Sequence, residues 1–175
     1  MMKRMILTYG IVAGVVILAS MVAANSLVGD TNLSIWLGYL IMLVGLSAIF
    51  VAVKRYRDQE LGGVIKFGAA FLLGLAISVI AGIAYVASWE IHLAATDYAF
   101  IDDYAQSVID EAKSDGADDA EIARIEADME EMTANYAKVF YRMPMTFLEI
   151  FPVGLLISLI AAAVLRNPKV PAESS

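Results

Sequence analysis

Four long apolar runs constrain this chain more than any other feature: residues 5–28, 33–53, 67–89 and 144–165. Each approaches or exceeds the roughly 20 residues that an α-helix needs to cross a hydrocarbon core of about 30 Å. In lipid every backbone N–H and C=O needs an internal partner, so helices are the default; membrane strands are shorter and alternate in polarity. The chain is 60% hydrophobic, with a mean hydropathy of +0.71. A soluble domain carries about 45–50% apolar residues. The excess here is gathered into the four runs, which is how a membrane protein distributes it.

The expected fold is therefore an all-α polytopic membrane protein. Its four transmembrane helices fall at about 5–28, 33–53, 67–90 and 144–166, with a cytoplasmic tail at 167–175. The first run needs a check against a secretory signal, because Lys3 and Arg4 precede it and Val22-Ala23-Ala24 resembles a cleavage site. It is long for a signal h-region of about 7–15 residues, so a retained helix is expected.

Orientation follows from the basic residues. Lys3 and Arg4 precede the first helix; Lys54, Arg55, Arg57 and Lys66 lie between the second and third; Arg166 and Lys169 follow the fourth. The first loop, residues 29–32, has no Lys or Arg. All the basic clusters fall on one side of a four-helix path, which makes that side, and both termini, cytoplasmic. Trp36 and Trp89 then lie near the outer interface, where indoles prefer to sit.

Residues 94–143 are different in kind. They carry Asp97, Asp102, Asp103, Asp110, Glu111, Asp115, Asp118, Asp119, Glu121, Glu126, Asp128, Glu130 and Glu131 against Lys113, Arg124, Lys138 and Arg142. Helical periodicity persists: Tyr98, Ile101, Ala105, Val108, Ile109 and Ala112 follow 3- and 4-residue steps. Gly116 is a stop signal, and Asp118 with Glu121 reads as a capping-box helix start. Ile122, Ile125, Met129, Met132, Tyr136 and Val139 then repeat as a narrow heptad-like seam. Two antiparallel amphipathic helices, an extracytoplasmic acidic hairpin between helices 3 and 4, are the expectation. Pro144 is expected at the start of the last membrane helix, where its missing N–H costs least.

Small residues recur on helix faces. Ala70, Gly74, Ser78 and Gly82 are four apart, as are Gly154, Ser158 and Ala162; Gly10 and Gly14 lie in the first run, Gly38, Gly45 and Ala52 in the second. Without a hydrophobic drive between helices in lipid, close backbone approach supplies much of the association. The expectation is packing within one chain; the alternative is a homo-oligomer built on one such ridge.

The stretches Tyr56-Arg57-Asp58, Gly62-Gly63-Val64-Ile65-Lys66-Phe67-Gly68-Ala69-Ala70-Phe71-Leu72-Leu73-Gly74-Leu75 and Glu149-Ile150-Phe151-Pro152-Val153-Gly154-Leu155 resemble the bacterial membrane family called domain of unknown function 4199. The resemblance covers most of the chain, more weakly in the acidic segment. It implies a four-helix bacterial inner-membrane protein and brings no activity or site residues.

Cysteine is absent, so no disulfide, thiolate nucleophile or Cys-ligated metal is available. The single histidine, His92, excludes a multi-His metal site within one chain. No nucleophile–base pair, phosphate loop or EF-hand spacing is present, and neither an enzyme, a cofactor, a metal nor a nucleic-acid partner is expected.

Glu149 is the most informative ionisable residue, because a carboxylate at a helix centre costs about 2.5–3.5 kcal/mol. Either Thr146-Phe147-Leu148-Glu149 is a capping box, or the carboxylate binds a cation or proton beside a carbonyl freed by Pro152. Glu90 and His92, two residues apart, do not share a helix face. They read either as interfacial groups facing headgroups or, if helices 3 and 4 are neighbours, as company for Glu149. The hairpin reads as a solvated acidic face or as a site for a cation or a basic partner. Three functions are weighed: a non-enzymatic scaffold or accessory protein acting through helix and hairpin contacts; a small transporter or cation- or proton-binding membrane protein using Glu149 and Glu90; and, least favoured for want of a catalytic constellation, an enzyme with a membrane-embedded site. No charge lies within 33–53 or 67–88, and the scarcity of midplane polar groups favours the scaffold.

Overall fold

The computed structural model describes residues 2–27 and 31–166. Residues 28–30 of the first loop and the tail 167–175, with Lys169, lie outside the described residues. Seven helices follow one another: α1 Met2–Leu27, α2 Thr31–Leu46, α3 Ala48–Glu60, α4 Phe67–Ala95, α5 Phe100–Ser114, α6 Asp119–Tyr136 and α7 Val139–Leu165. Four stretches are long and apolar enough to cross a membrane: Met2–Ser20, Trp36–Glu60, Phe67–Ala95 and Val139–Leu165. The second of these joins α2 to α3 across Ser47, whose Oγ donates to the carbonyl of Val44 at 2.5 Å.

The chain divides into two compact units, Met1–Ser88 with Phe147–Ser175, and Trp89–Thr146. The first is a bundle built on close helix approach. A Cβ at Gly10 on α1 would lie 2.5 Å from Ile80 Cγ2 on α4, and one at Gly14 would lie 2.8 Å from Ala84 Cβ. A Cβ at Gly45 on α2 would meet Ile17 Cδ1 of α1 at 3.0 Å. Ile17, Leu46, Ile49, Ile77 and Ala81 are fully buried between the helices. The outer surface is just as apolar: Val12, Val15, Val16, Leu40, Val44, Leu72, Ile83, Leu156 and Ile160 are all exposed. A soluble protein does not present so large a continuous apolar surface, and with four spans the chain is a multi-pass membrane protein.

α3 runs seven residues past the expected end of the second span. It carries the Lys54–Arg57 cluster as helix and stops at Gly62 and Gly63, whose φ of +66° and +90° only glycine adopts freely. The reason is a buried anchor. Arg57 is 0% exposed; its Nε donates to Asp58 Oδ1 at 2.6 Å and its Nη1 reaches the Leu165 carbonyl at the end of α7 at 3.5 Å. Lys54 adds a 3.5 Å ion pair to Asp58, and Arg55 donates to the Tyr9 hydroxyl of α1 at 3.0 Å.

The second unit holds α5 and α6 with the adjoining ends of α4 and α7. α5 ends at Gly116, φ +83°, where the N–H of Ala117 bonds the Ala112 carbonyl at 3.1 Å in a Schellman-type stop. Asp118 caps α6, its Oδ1 accepting from the Glu121 N–H at 2.8 Å. Ile122, Ile125, Met129 and Met132 are half-buried. The Lys113–Glu126 pair at 3.7 Å bridges the two helices but is about half exposed, and such a pair contributes little.

α7 departs from the sequence expectation. It begins at Val139, five residues before Pro144, with the Lys138 carbonyl accepting from the N–H groups of Tyr141 and Arg142 at 2.9 and 3.0 Å. Val139, expected as the last member of the α6 seam, belongs to α7 instead. Pro144 and Pro152 both lie inside the helix. Thr146 is therefore an interior residue, 6% exposed, and the capping-box reading of Thr146 and Glu149 does not hold.

Candidate functional site

The densest polar chemistry lies in the second unit, around Arg142. Its Nε and Nη2 donate to the two carboxylate oxygens of Glu90, each at 2.7 Å, and its Nη1 donates to the Tyr136 carbonyl at 2.8 Å. The guanidinium lies 5.3 Å from the centre of the Tyr98 ring and 5.6 Å from that of Tyr136. Arg142 is 2% exposed. A two-pronged charged bond of this kind is among the strongest that side chains make, and the planar fork fixes the angle between partners as well as the distance.

Aromatic residues surround the pair. Trp89 Nε1 donates to the Tyr136 hydroxyl at 2.7 Å, and the Trp89 ring meets Phe100 edge-on at 4.8 Å. His92 meets Trp89 at a tilt, ring centres 5.3 Å apart, and its carbonyl accepts from the Thr96 hydroxyl at 3.0 Å. α4 turns into α5 through Asp97 and Tyr98, both left-handed, with φ of 51° and 59°. Non-glycine residues there cost of order 1–3 kcal/mol each. The turn persists because the Tyr98 N–H bonds the Leu93 carbonyl at 2.8 Å while its ring lies over Arg142.

This arrangement is a clamp. Each edge of the Arg142 guanidinium that points to Glu90 or Tyr136 is occupied, and the Glu90 carboxylate is held at both oxygens. Among the described residues no group of three His, Asp or Glu side chains is placed to hold a metal ion.

Glu90 is thus bound to Arg142, while His92 meets the indole of Trp89 at a tilt. Glu149 belongs to the other unit. It is exposed on α7 and makes no hydrogen bond or ion pair among the described residues. The small residues form a seam between α4 and α7 within the bundle. A Cβ at Gly74 would lie 3.0 Å from Ser158 Cβ, one at Gly154 would lie 2.9 Å from Ser78 Cβ, and one at Gly82 would lie 2.6 Å from Phe147 Cε2. Ser158 Oγ donates to the Gly154 carbonyl at 2.7 Å, while the buried Ser78 Oγ has no partner among the described residues.

A family-model match runs over residues 8–167, a stretch that covers the α4–α7 glycine–serine seam and the Arg57 contact between α3 and the end of α7. The chain belongs to the family described as protein of unknown function (DUF4199). No curated protein and no solved structure matches it.

Arg142, Tyr136 and Tyr98 were not read as a site from the sequence of this DUF4199 member; Arg142 stood there only as a counter-charge in the acidic segment. A signal existed. Glu90 lies 23 residues after Phe67 and Arg142 lies 23 residues before Leu165. Equal rise along two antiparallel helices predicts that such residues fall at one level.

Proposed function

We propose that this protein is a non-enzymatic accessory protein of the bacterial inner membrane, with cytoplasmic termini, that acts by holding a partner through its extracytoplasmic acidic hairpin. One observation carries the reading. No residue of α5 is buried, and on α6 only Tyr136 is, at the base of the hairpin. Two helices alone cannot enclose a core, so the Ile122–Ile125–Met129–Met132 seam stays half open. The base is held by the Glu90–Arg142 pair. A rigid base carrying a half-covered apolar seam between acidic flanks suits a docking module, and the acidic flanks suit a partner with a basic rim.

The transporter alternative has Glu149 in its favour, an unpaired carboxylate on a membrane helix. Against it stand the engagement of Glu90 by Arg142 and the outward position of Glu149, since carboxylates of a transport path face the bundle interior. A photo-reactive side chain at Met129 tests the docking reading in native membranes. One discrete adduct, abolished by Ile125→Asp in the same chain, is expected. Adducts of equal yield from Met129 and from Glu130 on the acidic face would overturn it.

A further inference from the structure

One exposed face of α7 is regularly spaced. Glu149, Pro152, Leu156, Leu159 and Ala163 are all exposed, and they follow one another at steps of 3, 4, 3 and 4. That spacing is the seam by which one helix packs along another, and a single polar residue in such a seam fixes register and partner. Lipid covers an apolar helix face without difficulty, but it offers no partner to a carboxylate.

Glu149 lies 16 residues before Leu165, about 24 Å along the helix, and so about a turn beneath the far edge of a 30 Å hydrocarbon core. Its carboxylate has no partner among the described residues. Beside it, Pro152 supplies no N–H to the Leu148 carbonyl, and Leu148 is 62% exposed. An unpartnered carboxylate thus lies on the outward face, beside a carbonyl to which the proline four residues on offers no N–H. We infer that this face docks a transmembrane helix of another protein carrying a Lys or Arg at that depth, its cation bonding the Glu149 carboxylate and the Leu148 carbonyl.

A second copy of this chain does not fit as well. Copies share one orientation in the membrane, so the group opposite Glu149 would be drawn from the same level. The basic residues of the bundle, Lys54, Arg55, Arg57, Lys66 and Arg166, lie at the opposite end of the spans, and Arg142 is held by Glu90. A symmetric pair would set carboxylate against carboxylate. The inference rests on the contact-making reading of the protein but uses α7 where that reading uses α6, so a failed α7 contact leaves the hairpin test standing.

The probe is a synthetic Leu/Ala transmembrane peptide with one Lys a turn inside one end. It carries an acceptor dye and is mixed with donor-labelled full-length protein in phosphatidylcholine vesicles. The Lys peptide is expected to associate about tenfold more tightly than the same peptide with Leu in its place. Glu149→Gln, on an exposed side chain that leaves the bundle intact, is expected to erase that difference. Equal binding of the Lys and Leu peptides, or energy transfer between copies of the protein alone that Glu149→Gln abolishes, would overturn the inference: the first leaves the face to lipid, the second gives it to another copy.

Discussion

Arg142 meets Glu90 through two parallel 2.7 Å bonds, joining the first turn of α7 to the last turns of α4. Removing Glu90 leaves the buried Arg142 charge unpaired, at a cost of up to about 3–5 kcal/mol, and removing Arg142 costs less because Glu90 is 18% exposed. Arg142→Gln and Glu90→Gln are each expected to lower the melting temperature in detergent and to admit protease between 96 and 138. Replacing both by leucine is expected to cost far less than either single change, because a buried pair is worth little against an apolar one of similar volume. Non-additivity in that double-mutant cycle is the measurement.

A methyl group at Gly154 has nowhere to go, because Ser78 Cβ would lie 2.9 Å from it and the Ser78 hydroxyl closer still. Gly154→Ala is expected to destabilise the α4–α7 contact by about 1–3 kcal/mol, the usual cost of overpacking. Ser78→Gly removes both clashing atoms and also the unpartnered hydroxyl, so it is expected to restore most of the loss in the Gly154→Ala background. Thermal unfolding in nanodiscs of the two single variants and the double variant checks this.

In the hairpin, the apolar seam is expected to outweigh the charge. Asp at both Ile125 and Met129 places two carboxylates on the half-buried stripe and removes two apolar side chains worth about 1.5–3 kcal/mol each when buried. Asp118→Ala loses only the bond to the Glu121 N–H, about 0.5–2 kcal/mol. Circular dichroism and limited proteolysis are expected to rank the seam variant as the more damaging. The opposite ranking would mean that charge or a ligand holds the segment.

The distribution of basic residues predicts which side each loop faces. Alkaline phosphatase fused after Asp119 is expected to be active in a bacterial host, and fused after Asp58 inactive. Inverted activities would reverse the orientation and place the hairpin in the cytoplasm.

Local chemistry alone determined much of this protein. Hydropathy summed over a window located the four spans, because burying an unpaired backbone in lipid admits only helices. Gly116 and Asp118 marked the turn between α5 and α6, because a left-handed stop and an N-cap are each satisfied within a few residues. What the tertiary structure decided depends on rotation about helix axes and on which helices are neighbours. The spans are apolar on every side, so no amphipathic face says which way they turn. Nothing local distinguishes Glu149, exposed on α7, from a carboxylate facing inward. Nor does anything local say that α7 starts at Val139 against the preference of Pro144, because the ion pair with Glu90, 52 residues away, holds that first turn. The same holds for Arg57, a surface-looking member of a basic cluster that is fully buried because the α7 terminus lies against it.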